Sequence, residues 1–243
     1  MRFFELHQGL PREGPGDDHT TAAVLQSLQD YLRSPNVLDV GCGPGAQTLV
    51  LARLSGGVVT AVDRHQPFLD ELMVRARAAG LANKVRPICA SMEALPFEPG
   101  SFDLIWSEGA IYIVGFEAGL RAWRRFLRKT GFLVVSEATW LTTKRPEEAR
   151  LFWADAYPAM TSLEENRRLI QAAGYEAVAE FILPKRSWFA DYYDPLEKRI
   201  EELSACYASE AATLRWLEIQ RAEIDICRRY ADSFGYVFYV MRR

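Results

Sequence analysis

The chain has 243 residues, of which 49% are apolar and 25% charged, so it is long enough to bury a full hydrophobic core. Its 29 basic and 32 acidic residues give a formal charge of −3, which does not favour nucleic acid or an anionic membrane as a partner and leaves small molecules as the expected partners. The N-terminus lacks a sustained apolar segment, no later stretch reaches the roughly 18 apolar residues of a spanning helix, and the four cysteines are widely scattered, so a cytoplasmic protein is expected.

The first 35 residues read as an N-terminal cap segment. Its Gly14-Pro15-Gly16 turn precedes a plausible helix, and the segment could fold over a ligand or be an ordinary extension. From Asn36 onward, short β-rich runs alternate with longer helical patterns, which is typical of βαβ units and a parallel sheet. The first five predicted strands span residues 37–40, 58–63, 84–90, 103–108 and 132–138.

Residues 116–129 repeat apolar side chains at helical spacing, and Gly131 follows as the predicted stop of that helix. Beyond Trp140 we expect a capped helix that ends at Gly174 and a strand at 175–183. A helical insertion at about 190–234 then forms a packed cap before the last strand, 236–241. We therefore divide the chain into a cap segment (1–35), a cofactor-binding core (36–140) and a C-terminal part that completes the sheet (141–243).

The stretch VLDVGCGPGAQT (37–48) places three glycines at alternate positions directly after the first strand. Gly41, Gly43 and Ala46 satisfy the dinucleotide pattern G-x-G-x-x-A, and Asp63 closes the next strand, where a ribose-binding acid belongs. A nicotinamide-dependent oxidoreductase is therefore one interpretation of this loop.

Asp39 favours a different ligand. It is a carboxylate in an otherwise apolar strand, two positions before the loop, and a buried carboxylate needs a partner. A pyrophosphate about 5 Å away would be repelled by about 3 kcal/mol at an effective dielectric constant near 20, whereas the ammonium and sulfonium groups of S-adenosylmethionine would be attracted. The alternative is that Asp39 only caps loop amides.

Four motifs occur in chain order: DVGCGPG (39–45), the acid of AVDRH (61–65), SMEALPF followed by SFDLI (91–105), and FLVVSEATW (132–140). Together they resemble the class I S-adenosylmethionine-dependent methyltransferases of the quinone-methylase-like type. The resemblance implies a doubly wound, Rossmann-like α/β sheet of seven strands with an antiparallel last strand and a helical cap. It also implies S-adenosylmethionine as cofactor and a small-molecule methyl acceptor.

The resemblance further implies a set of cofactor contacts. The methionine part would lie against the loop and the following helix start, that is, Asp39, Gly41, Cys42, Gly43, Gly45 and Gln47. The adenosine part would lie against Asp63, which would bind the ribose hydroxyls, and against Arg64, Ser91, Met92 and the backbone of Ser107. Many relatives have Asp in place of Ser91, so the hydrogen bond to the adenine amino group is weaker here or comes from elsewhere.

Glu108 and Tyr112 follow the fourth strand at the edge where such sheets bind ligands, so they are the predicted substrate contacts, with Glu108 as a candidate base. The alternative is that Glu108 pairs with an arginine and Tyr112 packs under a lid. The aromatic clusters 151–157 and 187–193 either wall an acceptor pocket or belong to the core. The three histidines show no metal-like spacing, a non-catalytic cofactor-binding protein remains an alternative, and a homodimer is left open.

Overall fold

The computed structural model describes residues 2–243, with side chains from residue 4 onward. Eight strands form one sheet: β1 (Asn36–Val40), β2 (Val58–Asp63), β3 (Val85–Cys89), β4 (Phe102–Ser107), β5 (Leu127–Trp140), β6 (Thr161–Ser162), β7 (Glu176–Ile182) and β8 (Phe234–Arg242). Seven of them follow the order β3-β2-β1-β4-β5-β8-β7, and β6 pairs with β5 beside this path. Strands β1 to β5 pair in parallel, whereas β8 is antiparallel to both β5 and β7.

The predicted doubly wound sheet with a reversed last strand is thus confirmed. The short β6 is an addition that the sequence did not indicate, since two residues carry no periodicity. In register, Asp39 on β1 lies beside Ala61 on β2 and Trp106 on β4. The carboxyl ends of these three strands therefore meet at one edge of the sheet, at the point where the strand order reverses.

Within the described residues, ten α-helices accompany the sheet: α1 (Arg2–His7), α2 (Asp18–Gln26), α3 (Ala46–Leu54), α4 (Gln66–Ala78), α5 (Phe116–Trp123), α6 (Glu147–Ala156), α7 (Leu163–Ala172), α8 (Arg186–Trp188), α9 (Asp194–Cys206) and α10 (Ala211–Tyr230). A π-helical turn at 189–193 joins α8 to α9. The predicted helical insertion therefore lies between β7 and β8, beginning a few residues earlier than expected. None of the helices in residues 2–243 has the length and apolar character that crossing a bilayer requires.

The two faces of the sheet carry separate cores because side chains alternate along each strand. Val37 faces a core with α2, α3, α4 and the late helices, while Leu38 faces a smaller core with α5 and α7. Asp39 lies on the same side as Val37 and is fully buried. Its side chain consequently points at α3, the helix that follows the glycine loop.

The N-terminal helix and the insertion pack on each other. The Tyr207 hydroxyl donates to Oε1 of Glu5 over 2.6 Å, and an Arg199 guanidinium N–H donates to the Glu5 carbonyl over 3.3 Å. Within the insertion, the Tyr193 hydroxyl donates to Glu223 over 2.9 Å, which joins α10 to the turn before α9. Segments distant in sequence thus form one helical layer over the carboxyl edge of the sheet.

The predicted helix at 116–129 is too long. Helix α5 ends at Trp123, a 3-10 turn follows, and β5 already begins at Leu127, which pairs with Phe102 and is fully buried. Gly131 is therefore inside a strand and does not stop a helix. A Cβ there would approach the carbonyl oxygen of Asp103 to 3.1 Å, so glycine allows the irregular pairing of β4 with β5.

Candidate functional site

A cavity of about 400 Å³ opens at the carboxyl ends of β1, β2 and β4, within the size range of small-ligand sites. Four chain segments line it besides the end of β2: the glycine loop with the start of α3, the turn after β3, the turn after β4, and the N-terminal segment between α1 and α2. Among the predicted site residues, the lining includes Gly41, Cys42, Gly43, Gln47, Asp63, Arg64, Ser91, Met92, Glu108 and Tyr112. The structure therefore brings most of the predicted set together.

The loop glycines are needed for both backbone shape and space. Gly41, Gly43 and Gly45 have φ of 72°, 53° and 89°, in the left-handed region that favours glycine. A Cβ on Gly41 would lie 2.5 Å from Cβ of Ala110, and one on Gly45 would lie 2.1 Å from Cδ1 of Leu72. The loop is thus kept bare by its packing against neighbouring segments of its own chain as well as by the cavity.

The backbone N–H groups of this loop are already bound within the protein. Those of Gly41 and Cys42 both donate to the carbonyl of Val62, over 2.9 and 3.0 Å. The N–H of Gly43 donates to Oδ2 of Asp63 over 3.0 Å, and that of Gly45 donates to the Cys42 carbonyl over 3.0 Å. Pro44 has no N–H, so residues 41–45 leave no backbone donor for a phosphate.

Asp39 finds its partners on α3. The Thr48 hydroxyl donates to its Oδ2 over 2.6 Å, and the Gln47 amide donates to Oδ1 over 3.4 Å. Asp39 is not part of the cavity lining, and burial raises its pKa to about 7 even though both hydrogen bonds favour the charged form. Because the carboxylate binds side chains of α3, the sequence argument for direct attraction of a cation by Asp39 is weakened.

Asp63 lies in the cavity wall, where its two oxygens accept from the N–H groups of Gly43 and His65, the latter over 2.8 Å. These two bonds fix the carboxylate at the end of β2 and leave lone pairs for hydroxyl donors. Near Asp63, Phe4 and Phe68 also line the cavity, with the imidazole of His65 stacked on Phe4 at 3.7 Å between ring centroids. An aromatic group thus stands beside the acid.

The remaining predicted cofactor contacts are Ser91 and Met92 in the turn after β3 and Ser107 at the end of β4. The Ser91 Oγ accepts from the N–H of Glu93 over 3.2 Å, and the Met92 carbonyl accepts from the Trp123 indole over 3.2 Å. Ser107 is buried, and its hydroxyl donates to the Val40 carbonyl over 2.9 Å, which joins β4 to β1 rather than lining the cavity.

Glu108 is held by three side chains. Its Oε1 accepts from the Thr21 hydroxyl over 2.7 Å and from the Trp106 indole over 2.8 Å, while Oε2 lies 3.4 Å from Nη1 of Arg12. Burial raises its pKa, and the charge of Arg12 opposes that effect. The alternative weighed from the sequence, pairing with an arginine, is therefore what the structure contains.

Tyr112 lines the cavity and is 43% exposed. Its ring packs edge-on against Tyr157 with 5.8 Å between centroids, and the Tyr157 hydroxyl donates to Oε1 of Glu137 over 2.5 Å. Oε2 of Glu137 is buried without a hydrogen-bond partner among the described residues. The aromatic cluster 151–157 thus contributes one residue, Tyr157, behind the cavity wall, and the cluster 187–193 contributes mainly to the core through Trp188, Tyr192 and Tyr193.

Sequence reasoning missed Arg12, Glu13 and Glu137. Arg12 and Glu13 lie in an irregular segment, where no periodicity shows which side chains turn inward. Glu137 carried a usable signal, because it is an acid within an apolar strand, as Asp39 is. Across the described part of the chain, no group of His, Cys, Asp and Glu side chains is placed to hold a metal ion.

The fold and this site define a Rossmann-like α/β protein with a ligand-sized cavity at the switch point of its sheet. Comparison with known proteins is consistent with that class. Residues 37–131 match the sequence model of a methyltransferase domain. A structure of an S-adenosylmethionine-dependent methyltransferase from Geobacter sulfurreducens, in complex with S-adenosylhomocysteine, superposes with a TM-score of 0.84 at 19% identity, covering 100% of this chain and 98% of that one.

Curated relatives are also methyltransferases. Methyltransferase GfsG from Streptomyces halstedii is 34% identical over 46% of this chain and 41% of its own length. The uncharacterized methyltransferase YodH from Bacillus subtilis is 29% identical over 76% of this chain and 79% of its own length. The chain spans about half, or less than half, of the length of several other curated relatives. These comparisons support a class I S-adenosylmethionine-dependent methyltransferase, a family that uses S-adenosylmethionine as its cofactor.

Proposed function

We propose that this chain transfers a methyl group from S-adenosylmethionine to a small organic acceptor and leaves S-adenosylhomocysteine. The observation that carries the proposal is the state of the glycine loop, whose backbone donors are bound to Val62, Asp63 and Cys42. In a dinucleotide site the pyrophosphate accepts from free N–H groups of the glycine loop and of the helix start, and here the loop supplies none. A cofactor whose central part is cationic does not need them.

The charges around the cavity support the same choice. Besides Glu13, which is mostly protonated near pH 7, three acidic side chains line it, Asp63, Glu93 and Glu108, against the two arginines Arg12 and Arg64. Arg12 is itself engaged by Asp18 over 2.7 Å and by Glu108. A sulfonium and an ammonium are attracted by this surplus of carboxylates, whereas the linked phosphates of a nicotinamide cofactor are repelled.

The cofactor positions follow from this placement. Asp63 is proposed to accept from the ribose hydroxyls, and Arg64, Ser91 and Met92 to flank the adenosine. The loop Gly41–Gly45 and Gln47 would lie along the methionine part. The bound cofactor supplies an activated methyl group; the chain's own residues orient it and exclude water.

Asp39 and Ser107 are proposed to support the cofactor site indirectly, without contacting the cofactor. Asp39 holds Gln47 and Thr48 at the start of α3, and Ser107 fixes the end of β1 through the Val40 carbonyl. We assign both to positioning the loop, in place of the direct contacts that the resemblance implies.

The methyl acceptor is proposed to bind beside Tyr112, in the turn that follows β4. Its exposed ring offers an apolar surface, and Tyr157 and Glu137 stand behind it. The cap segment 1–35 and the insertion before β8 would close this side, in keeping with the proposed division of the chain. A cytoplasmic location and a homodimer stay predictions from the sequence.

Binding and turnover test the proposal separately. Calorimetry with S-adenosylmethionine, S-adenosylhomocysteine and NAD should show micromolar binding of the two adenosyl sulfur compounds and none of NAD; tight NAD binding alone would reject the proposal. Methyl release is then measured over a broad panel of small phenols, amines, thiols and carbon acids. The panel matters because the fold also resembles that of the [4+2]-cyclase SpnF, with a TM-score of 0.77 at 19% identity, and a fold alone does not fix the reaction.

A further inference from the structure

Glu13 brings a buried carboxylate into the cofactor cavity from the N-terminal segment. Its side chain is 17% exposed, and neither Oε1 nor Oε2 has a hydrogen-bond partner among the described residues. It lies directly over the glycine loop, since a Cβ on Gly43 would be 3.1 Å from Cγ of Glu13. A carboxylate in such a position is costly unless a ligand or a proton satisfies it.

Among the described residues, no cationic side chain lies within hydrogen-bonding distance of the Glu13 carboxylate. Nδ1 of His7 on α1 lies 4.0 Å from Oε2, and Tyr192 lies behind that imidazole, its hydroxyl 3.2 Å from Nε2 of His7. Charges of Asp63 on β2 and of Glu71 on α4 oppose ionisation, and that of Arg75 on α4 favours it. Burial is the largest influence, and the pKa of Glu13 is raised to about 8.

The neighbouring residue fixes the segment that carries Glu13. Arg12 is bound to Asp18 and Glu108, and the N–H of Gly16 donates to the Ser187 carbonyl over 3.3 Å, so both sides of Glu13 are tied to the rest of the fold. The backbone that carries Glu13 is therefore anchored on both sides of this residue, above the glycine loop.

We propose that Glu13 is a cofactor-binding residue that pairs with the cationic amino-acid part of S-adenosylmethionine and gives up its proton to solvent as the cofactor binds. This inference rests on the proposed function. The ligand group must be cationic, because a hydroxyl can hydrogen-bond the neutral acid without displacing its proton, whereas an ammonium or sulfonium stabilises the carboxylate. The one bond broken is the O–H bond of Glu13, and its proton forms a new O–H bond with water; no other covalent bond changes.

Proton-linked calorimetry tests the proposal. Binding of S-adenosylmethionine is measured at pH 7 in two buffers of different ionisation enthalpy, with 5′-methylthioadenosine, which lacks the amino acid and the charge, as the second probe. We expect the wild type to release up to about 0.9 proton from Glu13 with the first compound, as a group of pKa about 8 is mostly protonated at pH 7. The second compound should release none from this group.

Glu13→Gln should abolish that part of the proton release and weaken S-adenosylmethionine binding by several-fold at pH 7, where the ligand's ammonium group is still charged although the wild type must first ionise Glu13. Its affinity for 5′-methylthioadenosine should stay within about twofold of wild type. Glu98→Gln, at an exposed acid outside the cavity, is the matched control and should behave as wild type. Because glutamine has the same shape and removes an unpartnered carboxylate, thermal unfolding should show a folded variant at least as stable as wild type.

The outcomes separate the two proposals. If Glu13→Gln binds S-adenosylmethionine with wild-type affinity and wild-type proton release, the role of Glu13 is overturned while the cofactor assignment stands. If wild-type protein binds neither probe, the proposed function itself fails.

Discussion

The hydroxyl of Thr21 on α2 donates a 2.7 Å hydrogen bond to Oε1 of Glu108 at the end of β4, across 87 positions of sequence. Both side chains are buried, so this bond joins the N-terminal segment to the wall of the cofactor cavity. We propose that Glu108 has a positioning role that can be separated from catalysis.

We expect Glu108→Gln to weaken S-adenosylmethionine binding while kcat stays within about threefold of wild type, because loss of a general base lowers turnover by about 100-fold or more. Thr21→Val should reproduce part of this effect and lower the free energy of unfolding by about 1 kcal/mol. Steady-state kinetics and urea unfolding measure both. If kcat falls by two orders of magnitude in Glu108→Gln but is unchanged in Thr21→Val, Glu108 acts as the general base.

Asp63→Asn should weaken S-adenosylmethionine binding by about 10- to 100-fold, because an amide loses the charge that strengthens the bonds from Gly43 and from ribose hydroxyls. Calorimetry gives the affinity, and circular dichroism verifies the fold. The control is Asp155→Asn, at an exposed acid on α6. An unchanged affinity in Asp63→Asn would place the ribose elsewhere.

Gly45→Ala should destabilise the protein by about 2–4 kcal/mol, since it combines a left-handed φ of 89° with a Cβ 2.1 Å from Cδ1 of Leu72. Urea unfolding measures the loss. Truncating the neighbour in the double variant Gly45→Ala, Leu72→Ala should make the two effects less than additive, because it removes the overlap but not the backbone strain. Full additivity would show that the overlap is relieved without cost.

Glu137 should make stability depend on pH. Burial raises its pKa to about 7, so between about pH 4.5 and 7 the folded protein keeps a proton that the unfolded chain releases. Its contribution to the free energy of unfolding is therefore complete below pH 4.5 and falls by about 1.4 kcal/mol per pH unit as pH rises through this window.

The difference between wild type and Glu137→Gln in urea unfolding should show that slope and level off above pH 7. Tyr157→Phe, which removes the hydrogen bond that favours the charged form, should extend the slope to higher pH. Parallel stability profiles for wild type and Glu137→Gln would show that Glu137 ionises normally in the folded state.

The parts of the fold that were predictable are those with local periodicity. Strands β1, β2 and β4 were predicted within one residue at each end because apolar runs bounded by glycine and polar residues specify them locally. The end of α5 was not, because the pairing of Leu127 with Phe102 overrides the helical spacing around it.

The candidate site shows the same division. The glycine loop and Asp63 were identifiable, since their spacing is a property of one βαβ unit. The partners of Asp39 on α3 and the inward turn of Glu13 depend on tertiary packing, which the sequence alone does not specify. Glu137 was predictable as well, because it is an acid within an apolar strand, which is the criterion that selected Asp39.

The internal hydrogen bonds of the glycine-loop N–H groups have a consequence for the rate of cofactor exchange. A turn whose shape is maintained by Val62, Asp63 and Cys42 needs no reordering when the cofactor arrives, so little conformational entropy is lost there. The stretch around Glu13 covers the loop at Gly43, and we expect the rate of cofactor exchange to depend on this stretch. Substitutions in this stretch should therefore alter residence time more than those in the turn beneath it.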